Sequence, residues 1–147
     1  MNEEDAHIGR SLQPGERLSL SLPQLTVLID SKEQHELLLI ARGASGSELV
    51  HAGPDAPYSV EHYDNGQRVT LRFDRMHKDS RYTLGAYASA SEMPNVLATI
   101  DEPRAHFAIH SKGDGAVAIA EFYNKDGWRM KADGGWYRSG LQAMLSV

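Results

Sequence analysis

The sequence contains no cysteine. Disulfides, thiolate zinc sites and thiol nucleophiles are therefore excluded together. Long apolar runs are missing too. The longest is Leu37–Ala41, far below the ~18 residues that a membrane helix needs. Positive charge is in deficit: 15 Lys and Arg face 20 Asp and Glu, for a net charge of −5. A general nucleic-acid binder carries the opposite balance, so no nucleic-acid partner is expected. The opening MNEEDAHIGR is acidic and has no apolar stretch of the kind a secretory leader carries, which points to a cytoplasmic protein. No G-x-x-x-x-G-K-[ST] is found, and no G-x-G-x-x-G joins a strand to a helix, so nucleotide-fold enzymes lack support. Aromatic residues make up only 7% of the chain.

Two-residue alternation is what the chain has in quantity. Leu18, Leu20 and Leu22 share one face of a strand whose other face carries Ser19 and Ser21. Leu25, Val27 and Ile29 alternate in the same way, as do Val69, Leu71 and Phe73 against Arg68, Thr70 and Arg72. Tyr82, Leu84 and Ala86 follow, then Ala105, Phe107 and Ile109. Val117 and Ile119 alternate with Ala116 and Ala118 in a strand of small residues, and Trp128, Met130 and Ala132 alternate with Arg129 and Lys131. The unbroken run LLLIA within Glu36–Arg42 predicts a central strand covered on both faces. Turns are signalled at Gly53-Pro54-Asp55, Asp64-Asn65-Gly66, Lys112–Gly115 and Lys125-Asp126-Gly127. Short strands cut in this way predict an all-β, antiparallel β-sandwich. Ser139–Leu145 adds a short C-terminal helix or turn. With 147 residues, a single domain over 1–147 is expected, with 1–14 as a polar, loose lead-in.

Candidate chemistry is sparse. His106 and His110 share a strand face, but four residues of strand separate them by about 13 Å, too far for one metal. His62 and His77 flank other strands and meet only if the fold brings them together. Gly43-Ala-Ser45-Gly46 is one residue short of a nucleophile elbow and reads as an exposed turn. Gly113-Asp114-Gly115 reads as a hairpin turn. No two catalytic groups are fixed relative to each other, so no enzyme is expected. The acidic turns are the better candidates. Asp55, Asp64, Asp74 and Asp79 fall at strand ends, where loops can supply the six to eight oxygens that calcium takes.

The last quarter of the chain carries a recognisable pattern. Glu121, Phe122, Tyr123, Gly127, Trp128, Arg129, Met130, Lys131, Ala132, Gly134, Tyr137, Gly140 and Leu141 resemble the C-terminal signature of the TerD-like family of tellurium-resistance and stress proteins. The turn before Trp128 is one residue short of that signature, and Trp136 stands where the family has Gly. Leu12–Leu20, Leu49–Gly53 and Arg81–Tyr87 are similar to further strands and turns of the family. The resemblance implies a non-enzymatic, calcium-binding β-sandwich of bacterial stress and defence complexes. The partners it implies are other stress-operon proteins or a second copy, with a peripheral membrane association through the complex and no transmembrane segment. The family's early Gly-Trp-Asp and its central Asp-x-Asp pair are absent here. The expected member is divergent, with a weak or lost calcium site whose remaining ligands are Asp55, Asp64 and Asp74. A second reading is a small-molecule or carbohydrate-binding sandwich that exposes Trp128, Trp136, Tyr137 and Tyr123 as a stacking platform.

Overall fold

The computed structural model describes residues 10–21, 23–30, 36–63, 66–87, 96–101, 104–109, 115–137 and 141–145. Two sheets face one another. The smaller is ordered β1 (Arg10–Ser11), β10 (Arg104–Ile109), β9 (Val96–Asp101), β3 (Gln24–Asp30), β7 (Gly66–Arg72) and β6 (Tyr58–Tyr63). The larger is ordered β2 (Arg17–Ser19), β12 (Trp128–Ala132), β11 (Ala116–Asn124), β8 (Arg81–Tyr87), β4 (Glu36–Gly43) and β5 (Gly46–Val50). Its last member, β13 (Trp136–Tyr137), also pairs with β11. All pairings are antiparallel except that of β1 with β10. Among the described residues the chain is an all-β sandwich, as the alternation implies, with one short helix, α1 (Leu141–Leu145).

The alternating residues fill the space between the sheets. Leu25, Val27, Ile29, Val69, Leu71, Leu84, Ile100, Phe107 and Phe122 are all buried in one core. Leu12 joins them at 3% exposure, and its N–H bonds the carbonyl of His106. The lead-in is thus structured from Arg10, because the apolar residue immediately past β1 has a place in the core.

Three strands of the larger sheet are covered on both faces. On β4, Leu39 points into the main core, while Leu38 and Ile40 join Ala116 and Met144 in a second cluster under α1. On β11 a bulge between Ala118 and Ala120 changes the phase. Val117 and Ile119 face the core before it, and Ala120 and Phe122 after it. The outer face is lined by Ala116, Ala118 and Gly85, which leave room for the helix. A helix of five residues is far too short to hold itself. Met144 is fully buried, and the Arg42 guanidinium donates to its carbonyl oxygen at 2.7 Å. The same guanidinium reaches Thr83 Oγ1 and Ser47 Oγ, both at 3.4 Å.

Gly134 and Gly135 join two segments that both run along β11. β13 continues along β11 in the direction of β12, and Gly134, at φ 109°, absorbs the kink while its N–H bonds the Ala118 carbonyl. Phe73, in phase with β7, follows that strand in a 3₁₀ turn, Phe73–Arg75, with its side chain still in the core. The β11–β12 turn matches expectation: Asp126 and Gly127 take φ of 56° and 112°, which Asp and Gly tolerate. Leu22, residues 64–65 and residues 110–114, which include two of the expected turns in whole or part, lie outside the described residues.

Gly85 gives the packing a direct test. A Cβ there would stand 2.8 Å from Met144 Sδ and 3.3 Å from the Val117 carbonyl oxygen. Gly85→Ala should cost about 1–3 kcal/mol by overpacking. Met144→Ala should cost about 2–5 kcal/mol by leaving a cavity. Because the two residues share one space, the double variant should be less destabilised than the sum of the singles in urea unfolding. Strict additivity would mean that α1 does not rest on Gly85.

Candidate functional site

The chain passes from the larger sheet to the smaller through residues 51–57, between β5 and β6. This crossing leaves a cleft of about 540 Å³ on that side of the sandwich, bounded by Glu36 and Leu37 of β4, the Gly53 turn, and Tyr58, Val60 and His62 of β6. A cleft of this size falls within the ordinary range for ligand sites. Gln67 of β7 also lines it and is only 3% exposed. A buried amide needs partners, and its Nε2 lies 3.4 Å from His62 Nδ1. Tyr58 is buried at the inner end, and its burial pushes the phenol above its ordinary pKa, against a backbone hydrogen bond from Leu39.

Arginines organise the crossing. Arg72 donates from Nη1 to the Ala56 carbonyl and from Nη2 to Ser59 Oγ, both at 3.1 Å. Arg75 donates from Nη1 to the Asp55 carbonyl at 2.8 Å. Two successive carbonyls of the turn therefore accept from fixed cations.

This bears on the calcium candidates. Asp55 is exposed in the crossing, and Asp74 is exposed on the neighbouring 3₁₀ turn. The Arg75 guanidinium spans the two turns. Asp64, with Asn65, lies outside the described residues. Calcium draws its oxygens from carboxylates, carbonyls and water. Here the carbonyls of Asp55 and Ala56 each accept from an arginine, so a cation at this turn would meet a guanidinium beside it. Among the described residues, no group of three His, Asp or Glu is placed to hold a metal ion.

The remaining candidates are dispersed. His106 is half-buried on β10, His62 and His77 are exposed on different elements, and His110 lies outside the described residues. Ser45 is exposed in the β4–β5 turn. Of the aromatic platform, Trp128 is half-buried and stacks on Phe73, with ring centroids 5.2 Å apart and planes at 20°. Tyr82 lies tilted beside it at 6.3 Å. Tyr123 is buried under the Arg81 guanidinium, 4.7 Å from its ring centre. Tyr137 packs on the second cluster, and the Trp136 side chain lies outside the described residues. Trp128, Tyr123 and Tyr137 are thus packed against other side chains. Among the described residues, the exposed aromatic is Tyr63, at 43%, whose hydroxyl donates to Glu61 at 2.9 Å and whose ring lies under Arg68.

Sequence reasoning left β5, β6 and β9 unassigned and so missed the cleft. One signal was present: Gln67 is in phase with Val69, Leu71 and Phe73, which places its amide inward.

Trp128 as a rim-of-core residue is testable. Trp128→Ala should cost about 3 kcal/mol, the lower end for a large buried aromatic, because its side chain is only partly buried. Urea unfolding reads this directly; a loss below about 1 kcal/mol would return the ring to the role of a platform.

No protein-family model, no curated protein and no solved structure matches this chain.

Proposed function

We propose that this chain is a non-enzymatic binding or scaffold module of the bacterial stress and tellurium-resistance type, similar to the TerD-like family, with its calcium site weak or lost. The setting we propose is cytoplasmic, among other stress-operon proteins, and any membrane association is peripheral, through such a complex. No described helix is long and apolar enough to cross a membrane. The family part of this reading is supported by the residues from Glu121 to Leu141 quoted above. The binding part is supported by the cleft beside β6.

One observation carries the calcium part. Arg75 and Arg72 donate to the carbonyls of Asp55 and Ala56, in the turn from which a calcium ion would draw oxygens. A fixed guanidinium satisfies these oxygens at lower local charge than a metal and repels a second cation. That the turn is held by cations of the chain itself supports a weak or lost site.

Calorimetric titration of the chelator-treated protein tests this. With two or three anions on loops, the dissociation constant should be on the order of 10⁻⁴ M or weaker. Binding only to the folded state would then add about 1.4 kcal/mol at millimolar calcium, a melting shift of a few degrees at most. Asp55→Asn with Asp64→Asn should abolish any shift that is seen. Binding at micromolar calcium or below would overturn the reading.

A further inference from the structure

The four outer strands of the sandwich are unequal. β1 and β2, on one side, have two and three residues. β5 and β6, on the other, have five and six. A long open edge invites another strand, and folded proteins ordinarily blunt such edges by shortening or covering them. One side of this molecule follows that rule and the other does not.

The direction of the free groups on β6 follows from its ladder. The Arg72 N–H bonds the Pro57 carbonyl at 2.8 Å, so residues 57 and 72 form a hydrogen-bonded pair. By alternation Ser59, Glu61 and Tyr63 bond to β7, while Tyr58, Val60 and His62 turn their N–H and C=O groups away from it. The Tyr58 carbonyl confirms this direction, since it accepts from the Gly53 N–H at 3.0 Å. Gly53 thereby closes the edge at Tyr58 and leaves the outward groups of Val60 and His62 open among the described residues. Val60 and His62 are spaced two apart, as the backbone of an added strand requires. Both also border the cleft, with Leu37 and Gln67 beyond them. β6 therefore adds to the backbone groups of an open edge what β5 lacks, an adjoining cavity for alternate side chains.

Charge selects the occupant. A second copy joined by a two-fold axis and fitted to 59–63 must centre on Glu61. That register sets one exposed carboxylate opposite another, and like charges directly opposite are destabilising. A basic residue at that position reverses the sign. We propose that β6 is a docking edge for an extended segment of a partner chain that carries Lys or Arg opposite Glu61 and small apolar residues facing the cleft. The inference rests on the binding-module reading but not on calcium or on the family resemblance.

Two peptides serve as probes: acetyl-Thr-Val-Lys-Val-Thr-amide and its counterpart with Glu at the centre. Titrated into the full ¹⁵N-labelled protein, the Lys peptide should move the amide signals of Val60 and His62. It should also slow their hydrogen exchange. The Lys peptide should bind about fivefold more tightly than the Glu peptide. Glu61→Gln should bring the two to near equality without touching the backbone. Val60→Pro removes a donor that the β7 ladder does not use, so it should keep the fold by circular dichroism and lose both peptides.

Three results would overturn the proposal. The first is no response at Val60 and His62 to either peptide at millimolar concentration. The second is slow exchange of both amides in the free monomer, which would mean that the edge is already covered. The third is a concentration-dependent dimer lost in Val60→Pro, which would make a second copy the occupant. Each leaves the calcium titration, and the reading it tests, standing separately.

Discussion

The larger sheet carries apolar side chains on both of its faces, and most of the architecture follows from the need to cover them. The inner face is covered by the smaller sheet. Among the described residues, the outer face of β4, β8 and β11 is covered by a short helix. A five-residue helix reaches only a small area. The patch beneath it accordingly includes small residues, with Gly85, Ala116 and Ala118 under the single knob of Met144. The bulge after Ala118 belongs to the same solution. It lets β11 present alanines outward along its first half and still return Phe122 to the core along its second. Arg42 then anchors the helix by a carbonyl at its C-terminal end, where a cation is favoured.

Where the alternation was strict and one-sided, the sequence was enough to place residues. β3, β7 and β10 show the expected inward sets, because period two and a single buried face leave one solution. The run on β4 was legible for the complementary reason: unbroken apolarity implies two covers. β5, β6 and β9 escaped notice because they are edge strands or carry mixed residues. Ser47, Glu48, Glu61 and His62 occupy positions that alternation alone assigns to a loop. Their strand character comes from the neighbour's ladder rather than from their own burial. The Gly134-Gly135 pair is a different case. Two glycines permit a reversal but do not demand one, and the free backbone groups of β11 were better satisfied by continuing alongside.

The candidate site was less legible than the fold. The acidic turns suggested cation chemistry through Asp55, Asp64 and Asp74, and the turn holding Asp55 proves to be organised by cations that are covalently part of the chain. Arg72 and Arg75 read in the sequence as the outward residue of a strand and its successor. Their reach to carbonyls sixteen and twenty positions away depends on how the crossing folds over the end of β7. No local pattern encodes that contact. The same holds for Trp128, whose size suggested either core or platform, and whose stacking on Phe73 depends on a 3₁₀ turn 55 positions earlier in the chain.

The crossing between β5 and β6 links these features. A sandwich closes its sides with short strands or with connections that run over the gap between sheets. On the β1 and β2 side both strands end early, and Leu12 fills the gap. On the opposite side the connection turns at Gly53-Pro54, and the Gly53 N–H ties the turn back to Tyr58. Beyond Gly53 the connection has no further backbone group directed along β6, and proline at 54 has no N–H to offer. The turn that fixes the start of β6 is therefore also what leaves the rest of its edge exposed. The arginines that hold this turn hold the inner end of the cleft with it. An insertion or charge reversal in 53–57 would disturb the cleft, the edge and the Arg75 contact together, since all three depend on one short segment crossing at one height.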